Sequence, residues 1–142
     1  MSARISFLLA LALVTGGCGA ARYADTATIR YFAGKRVPGR YISEKAYYHY
    51  LRADLFSISG NAEGASDEFR YALAFDPQAV ELHRRLAEEL VKLGHLAEAE
   101  EQAVKALQRD PADAEALLLL GKLRARAGDT TGALASLRAA VL

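Results

Sequence analysis

From residue 43 onward, apolar positions recur with the three- to four-residue spacing of helices that bury one face. Short turns marked by glycine, asparagine, aspartate or proline separate these stretches and predict six helices. Ser43, Asp76 and Asp110 are the expected N-caps of the first, third and fifth helices, because their side chains accept hydrogen bonds from free N–H groups. The predicted helices run over about Glu44–Ile58, Ala62–Phe75, Pro77–Lys92, Leu96–Arg109, Pro111–Ala127 and Thr130–Leu142.

The same residue types return at a fixed interval along these helices. Gly60, Gly94 and Gly128 stand 34 residues apart, and so do Pro77 and Pro111. A period of this size predicts stacked helical repeats, in which each repeat buries its apolar face against a neighbour. Small or apolar residues share three further register positions, namely Ala65, Ala99 and Ala133, then Ala72, Ala106 and Ala140, then Phe69, Ala103 and Leu137.

These repeated positions resemble those of the tetratricopeptide repeat family, which has small residues where two helices cross and a proline after the second helix. The resemblance covers Ser43 to Leu142. It implies an all-α, right-handed α-solenoid of about three helix–turn–helix repeats, over residues 43–76, 77–110 and 111–142. We call the first helix of each repeat its A helix and the second its B helix. Since the family mostly provides protein-binding scaffolds, the resemblance also implies a protein partner.

The first 18 residues have the shape of a secretory signal peptide. Arg4 precedes a stretch, Ile5 to Val14, that is apolar except for one serine and too short to span a bilayer. The small residues before Cys18, the only cysteine, resemble a bacterial lipoprotein processing site, although Thr15 stands where an aliphatic residue is usual. We therefore expect lipidation of Cys18. A plain cleaved signal peptide and an uncleaved anchor are the alternatives.

Residues 19–42 show no sustained helical period and are predicted to form a basic, partly disordered tether. Gly34, Pro38 and Gly39 interrupt this segment. The run Thr28 to Ala33 has the composition of a strand, but no neighbouring stretch offers an evident partner. Its tyrosines either lie in the linker or fold back onto the first repeat as a cap.

The net charge of +1 hides an uneven distribution. Residues 22–54 carry seven basic and three acidic side chains, whereas the chain from residue 63 onward carries ten basic and fourteen acidic ones. A nucleic-acid-binding protein would show a basic stripe on its folded part, so this class of protein is not expected. A basic tether suits a position beside an anionic membrane.

No motif for catalysis, for a cofactor or for a metal is present. His49 and His83 lie one period apart, but two histidines without nearby carboxylate ligands seldom bind a metal, and we expect them to be half-buried packing residues. The acidic runs Glu88-Glu89 and Glu98–Glu101 are expected to be solvated helix faces. The sequence thus predicts a protein that is not an enzyme.

The resemblance places partner-binding residues on the A helices, at four register positions that line the concave surface. Some family members bind a chaperone's C-terminal carboxylate there with lysine and asparagine, but Tyr50 and Asp54 occupy those places here, so this clamp is not expected. Tyrosine suits a recognition surface because it offers a large apolar area together with a hydroxyl group. The candidate partner-binding residues are Tyr47, Tyr50, Asp54, Arg84, Glu88, Leu118 and Lys122, and Ser57, Glu81, Val91, Glu115 and Ala125 share their register positions.

Taken together, these features predict a non-enzymatic adaptor in the bacterial cell envelope that serves the assembly of a secretion, pilus or outer-membrane complex. One alternative is the N-terminal regulatory region of a longer enzyme or glycan-modifying system. Another is a homo-oligomeric structural protein, because the last helix has an apolar outer face from Leu134 to Leu142. Since solenoids usually end in a polar capping helix, further repeats after this face are also expected.

Overall fold

A computed structural model describes residues 28–32, 35–39 and 43–141. The described residues belong to two separate units, one that contains residues 28–32 and 35–39 and one that contains residues 43–141. The predicted signal peptide and Cys18 lie outside the described residues, so both stay predictions. None of the helices in the described ranges combines the length and hydrophobicity needed to cross a lipid bilayer.

Within the first unit, a β-hairpin is formed by strand β1, Thr28–Phe32, and strand β2, Lys35–Gly39. The strands are antiparallel, with Thr28 opposite Gly39 and Phe32 opposite Lys35. The expectation that β1 has no partner was therefore wrong. Pro38 and Gly39 were taken as interruptions, but both strands of a two-stranded ribbon are edges, where proline is tolerated.

In the second unit, residues 43–141 fold into six helices, which confirms the all-α repeat domain. Helices α1, α2 and α4 begin and end at the predicted residues, whereas α6 ends before Ala140. Each helix packs against the next along the chain, so the A and B helices of one repeat are neighbours and each B helix contacts the following A helix. The helices are α1, Glu44–Ile58, α2, Ala62–Phe75, α3, Val80–Leu93, α4, Leu96–Arg109, α5, Ala114–Arg126, and α6, Thr130–Ala139.

The two aspartate–proline pairs lie in the turns between repeats, so the predicted caps by Asp76 and Asp110 were wrong. Both aspartates end the preceding B helix, because a residue before proline is disfavoured in the helical conformation. Helices α3 and α5 each begin three residues after the proline. The cap of α5 is Asp113, whose side chain accepts a hydrogen bond from the Ala116 N–H at 2.8 Å.

Small residues allow the two helices of each repeat to approach closely. Ala65 and Ala99 are 0 % exposed and Ala133 is 4 % exposed, as their shared register predicted. In the third repeat, Gly121 of α5 lies against Leu137 of α6. A Cβ atom at Gly121 would be only 2.7 Å from Leu137 Cγ, so a side chain at this position would clash. The helix spacing is therefore set by residues that leave no room for a larger side chain.

The glycines of the 34-residue period form the turns between the A and B helices. Gly60, Gly94 and Gly128 have φ angles of 79°, 79° and 85°, a left-handed conformation that side chains disfavour. The 34-residue period therefore reflects the left-handed backbone conformation of each turn as well as the packing of the helices.

Substitution of Ala99 by Leu is expected to destabilise the protein by about 1–3 kcal/mol, because the larger side chain must force α3 and α4 apart. Thermal unfolding should show a melting temperature several degrees lower. The matched control is Ala97→Leu, which adds the same side chain at an exposed position of α4. Equal melting temperatures for the two variants would contradict the proposed helix contact.

Candidate functional site

The predicted partner-binding residues lie on the three A helices, and ion pairs connect these helices to one another. Arg85 of α3 pairs with Asp54 of α1 at 2.5 Å, and Arg84 of α3 pairs with Glu115 of α5 at 2.6 Å. One continuous set of side chains therefore extends over all three repeats. We call it the A-helix surface and define it as Tyr47, Tyr50, Asp54, Glu81, Arg84, Arg85, Glu88, Glu115, Leu118 and Lys122.

Arg84 is the centre of this surface. Its side chain is 13 % exposed, and its guanidinium forms ion pairs with Glu81, with Glu88 at 2.8 Å and with Glu115. Burial acts to lower the pKa of Arg84, but the hydrogen bond to Glu81 and the three surrounding carboxylates raise it above its ordinary value. Arg84 is thus a permanently charged group whose charge is already balanced within the protein.

Arg85 belongs to the same network, although it was not among the predicted partner-binding residues. It pairs with Asp54 and also with Glu88 at 3.2 Å, and its guanidinium lies 5.7 Å from the centre of the Phe69 ring. The predicted residues Asp54 and Glu88 are therefore brought together through a residue that sequence reasoning missed. Opposite charges 31 residues apart on consecutive A helices were the only signal for this contact.

Two tyrosines form the α1 end of the surface. The rings of Tyr47 and Tyr50 are stacked with centroids 6.4 Å apart, and Tyr47 is 54 % exposed. Tyr50 also lies against Phe69 and hydrogen bonds to Asp54. Burial, together with the charge of Asp54 and this hydrogen bond, raises the pKa of Tyr50 above its ordinary value of 10.0. Tyr50 is therefore held in place, while Tyr47 offers an accessible ring.

The α5 end of the surface has a different chemistry. Leu118 is 41 % exposed, and Lys122 lies beside a cavity of about 380 Å³ between α3 and α5. In the part of the chain that the structure describes, Lys122 takes no part in the ion pairs around Arg84. The structure therefore places these two predicted residues apart from the network. The cavity is lined by Val91, Leu119, Lys122, Leu123, Ala125 and Arg126.

The two histidines of the period are packing residues that form polar pairs inside their own repeats. His49 Nδ1 lies 2.6 Å from Glu68 Oε2, and His83 Nδ1 lies 2.8 Å from Gln102 Oε1. His83 Nε2 lies 3.1 Å from the carbonyl oxygen of Pro77. Among residues 43–141, no group of three or more histidine, cysteine or carboxylate side chains is arranged to hold a metal ion.

Glu89 contradicts the expectation that the Glu88-Glu89 run is a solvated face. It is 0 % exposed, and its Oε1 accepts hydrogen bonds from Ser57 at 2.6 Å and from Lys92 at 2.7 Å. Its Oε2 is buried without a hydrogen-bond partner. Glu89 therefore connects the first two repeats beneath the A-helix surface and is not available to a ligand.

A second exposed surface runs along α1. Tyr48, Leu51, Leu55 and Ile58 are 57, 45, 68 and 83 % exposed, and we call them the α1 stripe. Leu123 occupies the same position in the third repeat as Leu55 in the first. It is only 4 % exposed, because α4 covers it. The α1 stripe is a competing candidate for an interaction surface, since exposed apolar patches often bind proteins.

Comparison with known proteins agrees with this architecture. Residues 84–141 match the family model described as tetratricopeptide repeat. This part of the chain is therefore similar to tetratricopeptide repeats, in agreement with the resemblance of the sequence. A comparison with curated protein sequences gave no significant match.

Several solved structures share the fold at low sequence identity. The second TPR of Spaghetti (RPAP3), bound to the HSP90 peptide SRMEEVD, is 21 % identical with a TM-score of 0.67, covering 69 % of this chain and 91 % of that one. The TPR2B domain of yeast Sti1, in a pHsp70 complex, is 22 % identical with a TM-score of 0.67, covering 69 % and 78 %. The Arabidopsis OM64 TPR domain is 18 % identical with a TM-score of 0.67, covering 69 % and 81 %.

The raised pKa of Tyr50 has a measurable consequence for stability at alkaline pH. The folded protein holds the hydroxyl proton more tightly than the unfolded chain, whose tyrosines ionise near pH 10. The free energy of unfolding should therefore be unaffected below about pH 10 and fall as the pH rises through the folded value. An ultraviolet titration of tyrosine, with Tyr50→Phe identifying the transition, measures the shift. Asp54→Asn should move this pKa back towards 10, and an unchanged titration would contradict the assigned contact.

Proposed function

We propose that this protein is a non-enzymatic scaffold that binds a segment of a partner protein on its A-helix surface, in the bacterial cell envelope. The observation that supports this most is the continuous network from Asp54 through Arg85 and Arg84 to Glu115, flanked by the exposed ring of Tyr47. Such a surface offers aromatic area and polar groups across three repeats. Tyrosine and arginine, both present on this surface, are among the residue types that contribute most to binding energy at protein interfaces.

The binding mechanism is recognition by a preformed surface. The side chains of Arg84 and Arg85 are already held by carboxylates, so little further ordering is needed when a partner arrives, and less binding energy is lost. The second TPR of Spaghetti holds an HSP90 peptide, which supports peptide binding as a use of this fold. For the present chain, an extended or helical segment of a partner is the proposed ligand.

The envelope location rests on the leader sequence. An apolar stretch followed by small residues and Cys18 supports export and a lipid anchor, and the basic residues from 22 to 54 favour a position beside an anionic membrane. Assembly of a secretion, pilus or outer-membrane complex is the proposed process. Self-association through α6 is a second candidate, favoured by Leu134 and Val141, which are 49 % and 86 % exposed.

Affinity capture of the intact protein from envelope fractions tests the partner site. Tyr47→Ala/Tyr50→Ala should lose the captured partner, because truncation of an interface hot spot costs about 2 kcal/mol or more. Leu55→Glu, a change on the α1 stripe, is the matched control and should keep the partner. Circular dichroism verifies that both variants are folded. Loss of the partner with Leu55→Glu alone would contradict the proposal and assign binding to the α1 stripe.

Cell fractionation tests the anchor. Cys18→Ala removes the only thiol to which a lipid could be attached, so the protein should move from the membrane to the soluble fraction. Ser2→Ala, a conservative change in the same leader, should leave the distribution unchanged. Membrane retention of Cys18→Ala would rule out the lipid anchor.

A further inference from the structure

We propose that the segment bound by the A-helix surface is cationic at the tyrosine end and carries an aliphatic side chain that enters the cavity between α3 and α5. This inference rests on the proposed function and adds the chemistry of the partner to it. Charge balance, exposure and the composition of the two ends of the surface support it.

The charges around Arg84 leave an excess of carboxylates. Asp54, Glu81, Glu88 and Glu115 face Arg84 and Arg85, so four anionic groups surround only two cationic ones. Lys122, the remaining cation of the surface, lies at the cavity. The centre of the surface and its tyrosine end therefore attract a positively charged segment.

The exposure of these groups points in the same direction. Arg84 is 13 % exposed and Arg85 26 %, whereas Glu81 is 50 % and Glu115 69 % exposed. An acidic segment would have to displace carboxylates from half-buried guanidinium groups before it could form ion pairs. A cationic segment meets accessible carboxylates without breaking any existing pair. The surface thus selects against acidic ligands as well as for basic ones.

The tyrosines add a second attraction for cations. The ring of Tyr47 is 54 % exposed and stacked on Tyr50, which the Asp54 contact and Phe69 hold in position. A lysine or arginine over such a ring gains a cation–π interaction. Carboxylates and an aromatic face at one site form a suitable receptor for a basic side chain.

The opposite end of the surface suits an aliphatic group. Val91, Leu123 and Ala125 contribute apolar wall to the cavity of about 380 Å³, which Lys122 and Arg126 also line. These two cations repel a basic side chain, while an aliphatic side chain buries apolar area there. The chemistry of the two ends therefore also fixes the direction in which the segment lies.

Fluorescence anisotropy with the full chain in detergent micelles tests this inference. Three labelled peptides of equal length are compared, one with lysine and arginine followed by leucine, one with glutamate in place of the basic residues, and one with serine in place of the leucine. The first should bind about tenfold more tightly than either of the others, since two exposed ion pairs with a cation–π contact, or one buried aliphatic side chain, each supply about that factor. Added salt should weaken it.

Glu81→Gln/Glu115→Gln should reduce binding of the basic peptide to the level of the acidic one, because it removes charge and keeps the shape of the side chains. Glu101→Gln, on an exposed part of α4, is the control and should bind normally. Equal binding of all peptides, preference for the acidic peptide, or no binding of the basic one would overturn the inference. If affinity capture still yields a partner that depends on the A-helix surface, the proposed function stands, and only the assigned chemistry of the partner fails.

Discussion

The close approach of the A and B helices at their small residues is the contact on which the rest of this structure depends. Ala65, Ala99 and Ala133 are almost completely buried at equivalent places of successive repeats. Because the same contact recurs at a fixed interval, the A helices are placed side by side in a regular way. In this arrangement Arg85 reaches Asp54 on one neighbouring A helix while Arg84 reaches Glu115 on the other. The packing of alanines therefore produces the A-helix surface, although none of the alanines belongs to it.

The ion pairs of that surface serve orientation more than stability. Exposed ion pairs contribute about 0–1 kcal/mol each, so burial of Phe69, Leu86 and Leu90 accounts for more of the folding energy than Arg84 does. What the pairs provide is a fixed arrangement of guanidinium and carboxylate groups. Glu89 is buried between the first two repeats and accepts hydrogen bonds from Ser57 and Lys92. These bonds help to hold α1 and α3 in the same arrangement. A surface that is already ordered loses less entropy when it binds.

The sequence predicted most of the helical architecture, and the failures have specific physical causes. Periodic apolar positions and left-handed glycines such as Gly94 define helices and turns locally, so their bounds were readable. The caps at Asp76 and Asp110 were wrong because each aspartate–proline pair lies in a turn, and α3 and α5 begin only three residues after the proline. The partner of β1 was missed because proline in β2 resembles an interruption.

The candidate site was predicted only in part, because its geometry depends on contacts between repeats. The register placed Tyr50, Arg84 and Glu88 on the A helices by resemblance to the family. It did not reveal that Arg85 joins Asp54 to Glu88, or that Glu89 is buried, because adjacent residues on one helix differ in environment only through what the neighbouring helices cover. Burial and ion pairing depend on the tertiary structure, so they could not be assigned to individual residues from the sequence pattern.

The central claim is that a partner segment binds across the A helices. Backbone amide chemical shifts of the full chain, recorded by NMR with and without the captured partner segment, test this claim most directly. We expect the largest shift changes at Tyr47, Tyr50, Arg84 and Glu115, on α1, α3 and α5. Shift changes confined to α2, α4 and α6, or to the α1 stripe, would contradict it.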